Sequence, residues 1–160
     1  MEIEKKYDIG FCGNLLNRQD WIEYLIKNHK LKFDNFVIGE DMVKSINSYN
    51  IHWNRNLADD INFRTFETLG CRTLLLTNET ENLENLFDID KHLVTYENMD
   101  DMNEKIIYLL NDPQKIKEVS EAGYMHVTEN HSYDNRAKQL VEIIRSEERR
   151  VGKECLRLCR

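Results

Sequence analysis

No apolar run in this 160-residue chain approaches the ~18–20 residues needed to cross a bilayer, so no transmembrane segment is expected. The opening residues, MEIEKK, lack the apolar stretch of a secretory signal. Four cysteines without a CxxC pair argue against a zinc ribbon or a disulfide framework, and for a reducing, cytoplasmic setting. The single proline leaves no room for a stiff linker, and no internal repeat or low-complexity segment interrupts the chain. Basic residues are outnumbered 22 to 29, and a net charge of −7 is the wrong sign for a nucleic-acid partner. What is present is 41% apolar and 9% aromatic residues, enough to build one core in a domain of ordinary size.

The C-terminal stretch stands apart. Arg145–Cys155 reads RSEERRVGKEC, which is codon for codon the translation of a common sequencing adapter. Residues 145–160 are therefore excluded from the fold reading as non-native. Without them the chain has 16 basic and 26 acidic residues, a net charge of −10, and only Cys12 and Cys71 as cysteines.

Across residues 1–144, strand and helix patterns alternate. Lys6–Cys12 reads as a strand ending at Gly13, and Asn17–Lys30 as a helix with Trp21, Ile22, Leu25 and Ile26 at helical spacing. Phe33–Ile38 is expected as a second strand closed by Gly39. Asp41–Tyr49 follows as a short helix and Ile51–Trp53 as a third strand. After the polar loop Asn54–Asp60, the pattern predicts a helix over Ile61–Leu69 with Asp59 or Asp60 as its N-cap. TLLLT at Thr73–Thr77 has the continuous apolar character of a buried parallel strand. A helical turn at Leu83–Phe87, a fifth strand at His92–Tyr96 and an amphipathic helix at Met99–Leu110 come next. Asp112-Pro113 starts a helix to about Gly123, and Tyr133–Ile144 is the last, with Ser132 as N-cap. Alternation at this interval implies βαβ units: an α/β, Rossmann-like open parallel sheet of about five strands flanked by helices.

In such a sheet, ligands bind beyond the carboxyl ends of the strands. That places Gly13–Arg18, Gly39–Asp41, Asn54–Asp60 and Thr77–Asn82 at the functional edge. The densest polar cluster runs Asn54-Arg55-Asn56, Asp59-Asp60, then Asn62 to Glu67. Helix-start N–H groups there would accept a phosphate, with carboxylates alongside for sugar hydroxyls. The plainer reading of Arg64 and Glu67 is a surface i,i+3 ion pair. Cys12 and Cys71 read as small buried hydrophobes, with a ligand-facing thiol the alternative at Cys12. His52 and His92 read as packing, and His126 and His131 are poorly spaced for a shared metal. Gly10-x-x-Gly13 is not the nicotinamide-dinucleotide fingerprint. A phospho-receiver domain would need carboxylates at the end of the first strand, where Cys12-Gly13-Asn14 supplies none.

Arg64-Thr-Phe-Glu67 preceded by Asp60-Ile-Asn62, then LLLT, Asn85-Leu-Phe87, Leu93–Tyr96, Ile106–Leu110, Ala122-Gly123 and His131-Ser-Tyr133-x-x-Arg136, resembles the CgeB-like glycosyltransferases. These are related to the group-1 enzymes of GT-B fold. The resemblance spans about Tyr7–Ile144 and covers only the C-terminal, donor-binding half of a GT-B fold, so residues 1–144 are expected to be that domain. It implies transfer of a sugar from a nucleoside diphosphate sugar to an acceptor. The donor is a substrate, and neither cofactor nor metal is implied. It also implies a separate N-terminal acceptor-binding domain, without which the chain alone would not turn over.

By the same resemblance, Glu67 is the second glutamate of an E-x7-E motif and holds the ribose. Asp59, eight positions earlier, or Asp60 orients the hexose. Gly13 and Arg18 face the diphosphate, and Arg64 lies near phosphate or ribose; Asn54 is a candidate from its place in the strand-end cluster rather than from the resemblance. Arg55 is a further cation for the diphosphate. Two departures stand out: Arg72 occupies the place where the family usually has a glycine, and the usual first-loop lysine is absent. A reading from a different class is a non-catalytic, receiver-like module whose acidic surface meets a protein partner. It predicts no nucleotide affinity and indifference to Glu67→Ala.

Overall fold

The computed structural model describes residues 4–158, with side chains described through Glu147. The side chains of residues 148–160 in the excluded tail thus lie outside the described residues. The chain divides into two units, Met1–Val127 and Thr128–Arg160.

The first unit is a five-stranded, all-parallel sheet in the order β2-β1-β3-β4-β5. Its strands are β1 (Tyr7–Cys12), β2 (Lys32–Asp34), β3 (Tyr49–Trp53), β4 (Leu74–Asn78) and β5 (Val94–Tyr96). The connecting helices are α1 (Gln19–His29), α2 (Gly39–Asn47) and α3 (Phe63–Gly70), followed by a single 3-10 turn at Leu83–Asn85, α4 (Met99–Leu110) and α5 (Pro113–Asn130). Both sheet faces are buried, because successive side chains point to opposite sides. Ile9, Phe11, Ile51, Trp53, Leu74, Leu76, Val94 and Tyr96 pack with Ile22 and Leu25 of α1 and with Met102, Ile106 and Leu109 of α4. On the other face, Leu75 and Leu93 pack with Leu69 of α3, and Cys12 packs with Ile46 of α2.

From β1 the chain steps outward to β2, then returns past β1 to β3. Right-handed crossovers therefore carry α1 and α3 to opposite faces, and the loops leaving β1 and β3 diverge. A crevice opens between them at the carboxyl end of the sheet.

Several boundaries differ from the sequence expectation for identifiable reasons. The second strand ends at Asp34 rather than Ile38, because Phe36 turns the chain with φ 56°. The N-cap of α3 is Asn62, not Asp59 or Asp60. The polar loop runs two residues longer than expected, and Asp59 is engaged elsewhere, its carboxylate accepting the Glu81 N–H at 2.6 Å. Helix α5 passes straight through Gly123 to Asn130. That glycine marks a close approach rather than a stop: a Cβ there would lie 2.4 Å from the His92 carbonyl oxygen. Arg72, the departure from the family's glycine, has φ 50°. Arg72 itself takes the left-handed conformation, with its guanidinium 4.2 Å from the Tyr124 ring and paired with Glu121 at 3.5 Å.

In the second unit, Ser132 Oγ accepts the Asn135 N–H at 3.3 Å, as its expected cap role requires. Helix α6 (Tyr133–Leu158) continues beyond Ile144 because Glu, Arg, Lys and Leu all favour helix and no proline intervenes. Among the described residues, no helix is long and apolar enough to cross a membrane.

Candidate functional site

The crevice between β1 and β3 holds a pocket of about 340 Å³. It is lined by Phe11, Cys12, Gly13, Asn14 and Arg18 from the β1 side, Asn54 after β3, and Asn62, Phe63, Arg64 and Glu67 from the start of α3. Five of the eight residues singled out in the sequence, Gly13, Arg18, Asn54, Arg64 and Glu67, thus meet in one place. Asp59 and Asp60 do not join them: Asp59 lines a separate hollow with Glu79, Thr80 and Glu81, and Asp60 is exposed on the loop.

Gly13, Asn14, Arg18 and Asn54 are each held by hydrogen bonds that involve the backbone. The Gly13 N–H donates to the Asp34 carbonyl at 3.1 Å, extending the β1–β2 pairing into the loop. Asn14 Oδ1 then accepts the Leu16 N–H at 3.0 Å, which tightens the turn into α1. Arg18 donates from Nε and Nη2 to the Arg55 carbonyl at 2.8 and 2.6 Å, and from Nη1 to the Asn14 carbonyl at 3.2 Å. One guanidinium therefore ties the β1 loop to the β3 loop across the crevice. Asn54 is 2% exposed. Its N–H donates to the Leu76 carbonyl, its carboxamide to Asn56 Oδ1 and Thr77 Oγ1, and its carbonyl accepts the Tyr96 hydroxyl at 2.9 Å. On α3, Arg64 Nη1 and Glu67 Oε2 are 3.0 Å apart.

Two guanidinium groups and a helix start without a side-chain cap make an anion-accepting corner. The Glu67 carboxylate adds an acceptor suited to hydroxyl groups. Burial raises the Cys12 thiol's pKa, opposed by the Arg64 charge, so Cys12 behaves as an apolar wall rather than a thiolate. Arg55, by contrast, turns away: its guanidinium stacks 4.4 Å from the Trp21 ring in a neighbouring hollow with Asn78, Tyr96 and Glu97. Among the described residues, no group of three or more His, Cys, Asp or Glu is arranged to hold a metal ion.

The sequence placed Asn62 and Phe63 in the polar cluster without giving either a role in the site, and both line the pocket wall. Asn62 Oδ1 is buried without a hydrogen-bond partner, and Phe63 is 74% exposed at the rim. The signal for Asn62 was available, since it is itself a favoured N-cap type and stands immediately before the apolar periodicity. An exposed Phe63 carries no such mark.

The family model described as "Glycosyl transferase-like" matches residues 2–142. No curated protein matches the chain significantly. Among solved structures, the fold is similar to the C-terminal domain of a glycosyl transferase group 1 family protein, LpcC, from Francisella tularensis. There the TM-score is 0.63 at 13% identity, over 82% of this chain and 89% of that one. It is also similar to Anabaena Alr3699/HepE in complex with UDP and glucose, with TM-score 0.69 and 12% identity over 89% of this chain and 49% of that one. Sucrose-phosphate synthase from Thermosynechococcus elongatus gives a TM-score of 0.66 at 14% identity, over 86% of this chain and 37% of that one. The chain thus spans half or less of the latter two proteins. These likenesses establish the fold as that of a GT-B C-terminal domain.

Proposed function

This chain belongs to the glycosyl transferase-like family, and on that premise we propose that the β1–β3 pocket binds the nucleoside diphosphate part of a sugar donor. The observation that carries the reading is the meeting of Gly13, Arg18, Asn54, Arg64 and Glu67 in one crevice at the sheet's switch point. The diphosphate lies between the Gly13 turn and the first turn of α3, where Arg18, Arg64 and the helix N–H groups offset its charge. As the sugar–phosphate bond breaks, negative charge grows on the leaving diphosphate, and donors already in place stabilise it without reorganisation. Glu67 accepts hydrogen bonds from the ribose hydroxyls, with Arg64 holding its carboxylate in register. HepE is described in complex with UDP, which makes UDP the first nucleotide to try.

In this reading, residues 1–144 are the donor half of a cytoplasmic, CgeB-like hexosyltransferase. An N-terminal domain supplies the acceptor site, so this chain binds donor without turning it over. Residues 145–155 are adapter-derived, and residues 156–160 lie downstream of the same junction. The hexose-orienting carboxylate is left unassigned, because neither Asp59 nor Asp60 reaches the pocket lining.

The test is calorimetric titration of the chain with UDP, GDP, TDP and ADP, beside Glu67→Ala. Saturable binding of one nucleotide, weakened roughly tenfold or more by the substitution, supports the reading. A folded protein that binds none of the four, or binds one equally well with and without Glu67, overturns it.

A further inference from the structure

Under the pocket lies a hydrogen-bonded chain that the donor-binding reading does not use. The Cys12 N–H donates to His52 Nε2 at 3.1 Å, His52 Nδ1 and Thr68 Oγ1 are 2.6 Å apart, and Thr68 Oγ1 donates to the Arg64 carbonyl at 2.7 Å. Cys12, His52 and Thr68 are each fully buried. The direction of every bond follows from chemistry. A backbone N–H only donates, so Nε2 is the unprotonated nitrogen and the ring's one proton sits on Nδ1. A carbonyl only accepts, so the Thr68 hydroxyl spends its proton on Arg64 and receives the one from Nδ1. Both ends are therefore satisfied by a neutral imidazole in a single tautomer. An imidazolium would set an N–H against the Cys12 N–H.

We propose that His52 is a positioning residue for donor binding. It locks the end of β1 to the first turn of α3, and so sets the gap between the Gly13 turn and the Arg64–Glu67 pair. The inference rests on the donor-site reading above. Residues at the two walls come from segments about fifty positions apart in sequence, and the sheet alone does not fix their spacing. The β1–β3 register pairs Gly10 with His52 and ends before the loops begin. The buried chain carries that register upward to the pocket wall, as an outer-shell partner orients a ligand-contacting group.

The decisive variant is Thr68→Val, which keeps shape and leaves every pocket side chain in place while removing the central hydroxyl. Thr68→Ser restores that hydroxyl. His52→Gln and His52→Asn are the second pair. The first keeps an acceptor near the Nε2 position and the second a donor near the Nδ1 position, so each preserves half of the chain. Titration of the 160-residue protein with UDP and with uridine, at a temperature where circular dichroism shows each variant folded, reads the effect. The expected result is a roughly tenfold loss of UDP affinity in Thr68→Val, a change below about twofold for uridine, and recovery in Thr68→Ser. Unchanged UDP affinity in Thr68→Val, or equal losses for UDP and uridine, overturns the positioning role while the donor-site reading stands.

If the unaltered protein binds no UDP, the donor-site reading fails. The locking role is then decided by hydrogen exchange at the Cys12 amide, at the far end of the chain from position 68. Faster exchange in Thr68→Val supports it, and unchanged exchange overturns it.

Discussion

The Glu67 carboxylate lies 3.0 Å from the Arg64 guanidinium, one turn apart on α3, and both side chains line the pocket that Gly13 and Arg18 close from the other side. The pair is partly exposed, so its worth to folding is small. Its place at the pocket wall gives it a second use.

Removing either partner therefore separates stability from binding. Arg64→Ala and Glu67→Ala should each change the free energy of urea unfolding by no more than about 1 kcal/mol, as expected of an i,i+3 surface pair. Arg64→Ala should weaken UDP about tenfold, and the loss should shrink at high salt, because the guanidinium acts on phosphate charge. A loss of several kcal/mol in stability would mark the pair as structural instead.

Glycine at 123 and glycine at 70 should respond to alanine with opposite signs. In a helix, Gly→Ala ordinarily gains about 1 kcal/mol. At Gly70 nothing lies within 4 Å of the new Cβ, so that gain should appear. At Gly123 the Cβ meets the His92 carbonyl oxygen at 2.4 Å and Leu69 Cδ2 at 2.8 Å. Overpacking costs of about 1–3 kcal/mol then win, and thermal melting of the two variants should move in opposite directions.

Helix α4 begins with a side-chain cap: Asn98 Oδ1 accepts from the N–H groups of Asp100 and Asp101 at 3.1 and 3.0 Å. Asn98→Ala should cost about 1 kcal/mol in chemical denaturation, and Asn98→Asp or Asn98→Ser much less. Equal losses in all three would show that the side chain serves some other contact.

Stability should fall as the pH drops below neutrality, and His52 should account for about one proton of that slope. Burial, aided by the positive charges of Arg64 and Lys5, pushes its pKa down to about 3. In the unfolded chain an imidazole titrates near 6.5. Below that pH the unfolded state takes up a proton that the folded state refuses. The contribution is thus fully present above about pH 6.5 and is lost progressively toward the folded value. Linkage gives about 1.4 kcal/mol per pH unit, or about 2 kcal/mol between pH 6.5 and 5. His92, depressed by burial and by His126, adds in the same direction. Asp34, where hydrogen bonds from Tyr49 and Lys32 outweigh the upward push of burial, is lowered and contributes only at more acid pH. Urea unfolding at pH 7, 6 and 5 should show this slope, reduced in His52→Asn. A flat profile over that range would contradict the buried neutral imidazole.

Local patterns carried most of the fold. The period-2 and period-3.6 apolar spacings placed five strands and the major helices, because burial of one face or stripe is a local property of the chain. Met99–Leu110 was legible to the residue from its apolar stripe and from Asp112-Pro113, which forbids its continuation. The polar residues Gly13, Arg18, Asn54, Arg64 and Glu67 were also legible as candidates, because strand ends in a parallel sheet are where ligands bind.

Three things waited for the tertiary structure, each because it depends on groups distant in sequence. Gly123 looked like a helix stop until the His92 backbone was seen to occupy the space of its missing side chain. Asp59 and Asp60 looked like the cap and sugar-facing carboxylates until the loop's own path sent Asp59 to the Glu81 amide. His52 read as packing, and only the approach of Cys12 from one strand and Thr68 from a helix turned it into a two-ended hydrogen-bonding group. The sequence by itself determined which segments are strands and helices and which polar residues crowd the sheet's carboxyl edge, since periodicity is written along the chain. Only the tertiary structure decided which of those residues share a pocket, because strand order and loop path bring together side chains that the sequence keeps about fifty residues apart.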